Sequence, residues 1–198
     1  MNLTFAHRKA TQALNYFACQ DSGRINKMKA LKLVYFADRY HLRTYGRPIT
    51  NDRYIAMKYG PVASSCKDLA EMSEFLGAEE RTYSERFLAP SGHEYESKAA
   101  VDSVELSETD LEALVFVWRE YGSKDGFELA DETHKFPEWN RHEDRLASPY
   151  ESRVSMHYPD FLENAPLGVD PLPPLSLEQQ GDLREQLEEL HSIESIWR

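Results

Sequence analysis

The chain has 198 residues, 41% of them hydrophobic and 29% charged, with a net charge of −11; that length suits one domain, or one domain with an appended arm, and buries roughly 70% of its unfolded surface without staples. Two cysteines, Cys19 and Cys66, exclude a disulfide framework and a cysteine-rich zinc site. The opening residues lack the apolar stretch of a signal peptide and the longest apolar run, Ala113 to Trp118, is too short to cross a bilayer, so the expectation is a cytoplasmic protein with free thiols and no membrane association.

Residues 4–21 carry Phe5, Ala6, Ala10, Ala13, Leu14, Phe17 and Ala18 at helical spacing, and Ser22-Gly23 stops that helix. A second helix is expected from Asn26, a good N-cap, to Gly46; it is apolar around much of its circumference, as a central buried helix must be. Pro48 and Asn51-Asp52 mark a turn, Tyr54 to Tyr59 reads as a short strand, and Gly60-Pro61 is expected to end it. Ser64 or Ser65 then caps a helix to Leu76, and Ser91-Gly92 is the turn of a hairpin. Ser107 to Asp110 forms a capping box that opens a helix to Tyr121, with Leu111, Leu114, Val115 and Trp118 on one face. A shorter helix runs from Gly126 to Thr133. Prolines from Pro149 to Pro174 forbid one continuous helix there. A second capping box, Ser176 to Gln179, opens a final helix whose stripe is Leu183, Leu187, Leu190, Ile193 and Trp197. Such an arm either folds back on its own domain or lies in a partner's groove.

The charge is unevenly spread. Residues 1–70 carry +8, residues 71–112 carry −9 and residues 113–198 carry −10. This pattern fits internal pairing and solvated faces, or a docking surface for a charged partner. The net acidity argues against a general nucleic-acid binder.

Catalytic signatures are absent from the sequence. The histidines His134, His142 and His157 lack metal-site spacing, and no phosphate loop, dinucleotide fingerprint or nucleophile elbow occurs. Cys19 lies on the apolar face of its helix, as a buried structural thiol would. No cofactor, metal site or catalytic residue is assigned, and a non-enzymatic role is expected.

Three stretches carry a family pattern. The first holds Lys29, Leu31, Lys32, Leu33, Tyr35, Phe36 and Ala37, followed by Gly46 and Pro48. The second holds Tyr54, Ala56, Tyr59, Gly60, Pro61 and Val62, and the third Tyr121, Gly122, Leu129, Thr133, His134 and Trp139. Over residues 4–142 the chain resembles the Panacea domain family, the SocA-like antitoxins also found as phage-associated proteins. The resemblance implies a compact, mainly α domain with a small β-sheet or hairpin, to which the C-terminal amphipathic helix is added. With the prolines and the last capping box, the chain is expected to divide into a Panacea-like domain at 1–145, a Pro-rich irregular linker at 146–175 and the helix at 176–198. The resemblance also implies an antitoxin that binds a cognate protein toxin, such as a translation-blocking alarmone-synthetase-like enzyme. The alternatives are a proteolytic adaptor that hands its client to a protease, or a phage-associated protein acting on a host factor. The chain departs from some relatives in lacking a fused helix-turn-helix, which leaves autorepression without support.

Most motif residues read as structural: Tyr35, Phe36, Gly46, Pro48, Gly60, Pro61, Val62, Thr133, His134 and Trp139. Partner contacts are assigned to an exposed aromatic-basic rim of Arg39, Tyr40, Arg43, Arg47, Arg53, Tyr54, Lys58 and Tyr59, since Tyr and Arg carry hot spots. The stripe from Leu183 to Trp197 is the second candidate; it serves equally for a homo-oligomer.

Overall fold

The computed structural model describes residues 3–196. Its axis is α2 (Lys27–Tyr45), which begins and ends where the sequence places it. The Asn26 side chain accepts from the Lys29 amide at 3.2 Å, satisfying an otherwise orphaned donor of the first turn. At the other end Gly46 adopts φ 75°, and its amide donates to the Leu42 carbonyl. The helix is buried along most of its length, from Ala30 to Arg43.

Helix α1 (His7–Gln20), α5 (Glu108–Tyr121) and α6 (Gly126–His134) pack around it. The expected capping box opens α5: the Asp110 amide donates to Ser107 Oγ at 3.2 Å, and the Ser107 amide to Asp110 Oδ2 at 2.9 Å. Phe36 of α2 stacks on Tyr121 of α5, with centroids 4.0 Å apart. Leu114 is buried in the α5 core face, but Val115 is 52% exposed, because Ala113, Leu114 and Val117 take the inward positions. Cys19 is only partly buried, and its thiol lies 3.2 Å from Ser97 Oγ; Cys66 is the fully buried thiol.

Two small antiparallel sheets flank the helices. One has the order β1-β5-β4, from Arg24–Asn26, Glu94–Ser97 and Leu88–Ser91. The expected hairpin is present but turns at Gly92-His93, one residue later than Ser91-Gly92, because Ser91 still pairs with Glu94. The other has the order β3-β2-β6, from Gly60–Ala63, Tyr54–Met57 and Arg153–Ser155. Here Gly60-Pro61 starts a strand rather than ending one: Met57 pairs with Gly60 across a two-residue turn, Lys58-Tyr59. Strand β3 lies at a sheet edge, where the missing amide of Pro61 is tolerated.

The helix expected to reach Leu76 breaks sooner. α3 covers Ser64–Glu71, Met72 turns left-handed at φ 49°, and a separate α4 covers Ala78–Ser84. Neither Ser64 nor Ser65 caps α3. The buried Asp52 does so from outside, accepting from the Ser65 and Cys66 amides at 2.9 and 2.7 Å.

Residues 146–175 are not a tether. After α7 (Pro137–Asn140) and α8 (Glu143–Leu146), the chain supplies β6 to the second sheet and then a 3-10 turn, Tyr158–Leu162. Phe161 and Leu162 are wholly buried there. The prolines stop an α-helix, and the aromatic residues between them supply core contacts instead.

The final helix, α9 (Leu177–Ile196), folds back on its own domain. Its capping box is formed: the Gln179 amide donates to Ser176 Oγ at 3.1 Å, and the Ser176 amide to Gln179 Oε1 at 2.8 Å. Leu187 is completely buried, while Leu183 and Leu190 pack partly buried against the core. Ile193 is largely exposed, and Trp197 lies outside the described residues. Leu187→Ala is expected to lower stability by about 2 kcal/mol or more in chemical unfolding, through lost burial and the cavity left behind.

Candidate partner-binding surface

Four of the eight rim residues point inward, which corrects the exposed rim expected around α2. Arg39, Tyr40, Arg43 and Tyr54 are buried because they sit on, or pack against, a helix enclosed on nearly every side. Arg39 is 2% exposed; its Nε donates to Glu138 Oε1 at 2.7 Å and its Nη1 to Asp170 Oδ2 at 2.5 Å. Its guanidinium lies 4.4 Å from the Phe136 ring centroid, and the Tyr35 hydroxyl donates to the same Glu138 oxygen at 2.6 Å. Arg43 donates to the Phe161 and Glu163 carbonyls and to Asn164 Oδ1. These two arginines therefore bolt α2 to the segment after α6. The Tyr40 hydroxyl donates to Glu112 at 2.7 Å.

Tyr54 belongs to a second buried cluster. The Asp38 carboxylate accepts from its hydroxyl at 2.9 Å, from the Ile49 and Thr50 amides, and from the Thr50 hydroxyl. Burial pushes the Asp38 carboxyl up to about 6, against the pull of those donors. The buried Pro48 stiffens the turn that presents the two amides.

Of the quoted motif residues, Lys32, Thr133 and Trp139 meet Gly60 and its neighbours at the β2–β3 turn. A Cβ on Gly60 would lie 2.3 Å from Thr133 Oγ1 and 2.7 Å from Lys32 Nζ, so this position admits only glycine. Lys32 Nζ donates to the Pro61 carbonyl at 2.8 Å, and Trp139 Nε1 to the Met57 carbonyl at 3.0 Å. Thr133 Oγ1 donates to Ala130, and His134 stacks on Trp139 at 3.7 Å. Val62 is partly buried against the core.

Burial depresses the Lys32 ammonium to about 7, from the usual 10.5. The folded state then holds fewer protons than the unfolded chain between those values, so its stability gains as pH rises and is lost as pH falls through 7. Between pH 7 and 9 the wild type is expected to gain stability relative to Lys32→Met. The gain is at most about 1.4 kcal/mol per pH unit, read from urea unfolding at each pH.

The outward residues form a different surface. Tyr59 is 54% exposed, Phe127 64% and Met57 38%. The Tyr59 and Phe127 rings meet edge to face at 6.1 Å. Beside them a groove of about 580 Å³ is lined by Met28, Leu31, Lys32, Met57, Val62 and Phe127, with Lys27, Lys67 and Glu71 also on its walls. Methionine side chains suit such a surface because they repack around different shapes. Lys58 lies in the same turn, 5.6 Å from the Tyr59 ring centroid. Arg47 sits instead beside Ser107 and Asp110, and Arg53 lines a separate cleft of about 300 Å³. Phe127 was missed by the partner-contact reading, yet it left a signal. It lies about 200° around its helix from the buried Leu129, off the core face. Among the described residues no group of three or more His, Cys, Asp or Glu is placed to hold a metal ion, and no helix is long and apolar enough to cross a membrane.

A family model described as antitoxin SocA-like, Panacea domain, matches residues 31–140, just over half of the chain. That span takes in Lys32, the β2–β3 turn and the residues from Thr133 to Trp139; β6 and α9 lie outside it. No curated protein and no solved structure matches the chain.

Proposed function

The chain belongs to the SocA-like antitoxin family through its Panacea domain, and from that premise we propose that it is the antitoxin of a two-gene pair and neutralises a protein toxin by direct binding. The carrying observation is the exposed cluster of Tyr59, Phe127 and Met57 beside the groove, above the place where Lys32, Thr133 and Trp139 meet the β2–β3 turn. Large apolar groups held in the open by a rigid base are what a partner interface is built from. The motif residues beneath them supply the rigidity, and α9, folded in cis, supports the core. Binding here would occlude the toxin's active site or its substrate path. No catalytic role is assigned to any residue.

Co-expression with the adjacent reading frame tests this. The neighbour alone should arrest growth, the pair should grow, and the two proteins should co-purify. Rescue without a complex would replace occlusion by delivery of the toxin to a protease. A harmless neighbour would remove the antitoxin reading.

A further inference from the structure

Buried ions on α2 are met by opposite charges or several donors, with one exception. Arg39 has Glu138 and Asp170, and Asp38 has four donors. Lys32 is 2% exposed and its hydrogen bond goes to the Pro61 carbonyl alone among the described residues. An ammonium carries three donors, and burial without a counter-charge is costly. Lys32 also lines the apolar groove.

We propose that this groove receives a short apolar segment of the partner protein bearing one carboxylate, and that Lys32 binds that carboxylate. The inference rests on the reading that the protein works by binding a partner. Charge complementarity supports it. Lys27, Lys32 and Lys67 line the groove against one acid, Glu71, which already pairs with Lys67 at 2.6 Å. The basic first third of the chain thus presents positive charge around an apolar floor. Met28, Met57 and Phe127 take up the apolar side chains of the segment, and the carboxylate supplies the missing counter-charge. The other ionisable groups around Lys32 are His134 on α6, Lys27 on α2, Lys67 and Glu71 on α3, and His93 in the β4–β5 turn. His134 is itself held below its usual value, first by burial and then by the Lys32 charge. A carboxylate seated on Lys32 would hold it protonated, so binding above pH 7 takes up a proton.

The test uses the full chain and the toxin identified by co-expression. Titration calorimetry at pH 8, in two buffers of different ionisation enthalpy, gives affinity and proton uptake together. The wild type is expected to take up about one proton per complex. Lys32→Met is expected to bind about ten- to a hundredfold more weakly and to take up none, as loss of a hydrogen bond to a charged group predicts. Phe127→Glu, at an exposed position, should weaken binding while leaving the unfolding temperature unchanged; it carries the test if Lys32→Met fails to fold. A wild-type complex with no proton uptake, or one that either variant forms with unchanged affinity, overturns the groove proposal and leaves the antitoxin reading standing. If the wild-type chain forms no complex with the toxin, direct binding itself falls, and the groove proposal with it.

Discussion

Arg39→Ala is expected to destabilise the protein by about 3–5 kcal/mol. Removing the guanidinium strands Glu138, 0% exposed, without the cation that pairs with it, leaves Asp170 only the longer Arg43 contact at 3.8 Å, and takes away the cover over Phe136. The cost is that of uncompensated buried charge rather than of one lost contact. Glu138→Gln keeps the shape and removes one charge, so it should cost less than Arg39→Ala, since Asp170 still faces the arginine. Urea unfolding with matched slopes measures both. An Arg39→Ala loss under about 1 kcal/mol would mean that the ion cluster does not bolt α2 to the segment carrying Glu138 and Asp170.

Gly60→Ala is expected to cost on the order of 4 kcal/mol, from two sources that act together. The backbone there has φ 91°, which an L side chain adopts only under strain. The added methyl group would also meet Thr133 and Lys32, both buried. Neither neighbour retreats easily, because Lys32 is tied to Pro61 and Thr133 to Ala130. Thr133→Ala in the same chain should recover part of the loss, since it removes the nearer clash and leaves the strain. Equal stability of the wild type and Gly60→Ala in thermal unfolding would contradict this packing of the β2–β3 turn.

Much of the frame was legible in the sequence because it depends on local chemistry. Asn26 and Gly46 bracket α2, and Ser107 and Ser176 each open a helix with a partner three residues on. What escaped was decided far along the chain. The partners of Arg39 lie 99 and 131 positions away, so nothing near Arg39 shows whether it faces solvent or an acid. The rim reading failed at Arg39, Tyr40 and Arg43 for that reason: polarity along a helix signals exposure only when one face is free; Tyr54, on β2, faces inward instead onto the buried Asp38. Strand β6 is three residues long and makes sense only beside β2. The groove was illegible in a stronger sense, since its lining is gathered from α2, the second sheet, α3 and α6, elements separated along the chain. The motif residues Gly60, Thr133 and Trp139 are buried beneath the turn, and the exposed apolar residues Met57 and Tyr59 lie beside them in sequence or space.

The central claim is that the exposed face at the β2–β3 turn, with the groove beside it, meets the toxin. The most direct measurement is growth protection by the Tyr59→Ala/Phe127→Ala double variant, with its unfolding temperature recorded alongside. Both side chains are more than half exposed, so their removal should leave stability within about 0.5 kcal/mol of the wild type per site. The account predicts an unchanged unfolding temperature and lost protection. Full protection by the folded double variant would contradict it and place the toxin contact elsewhere on the molecule.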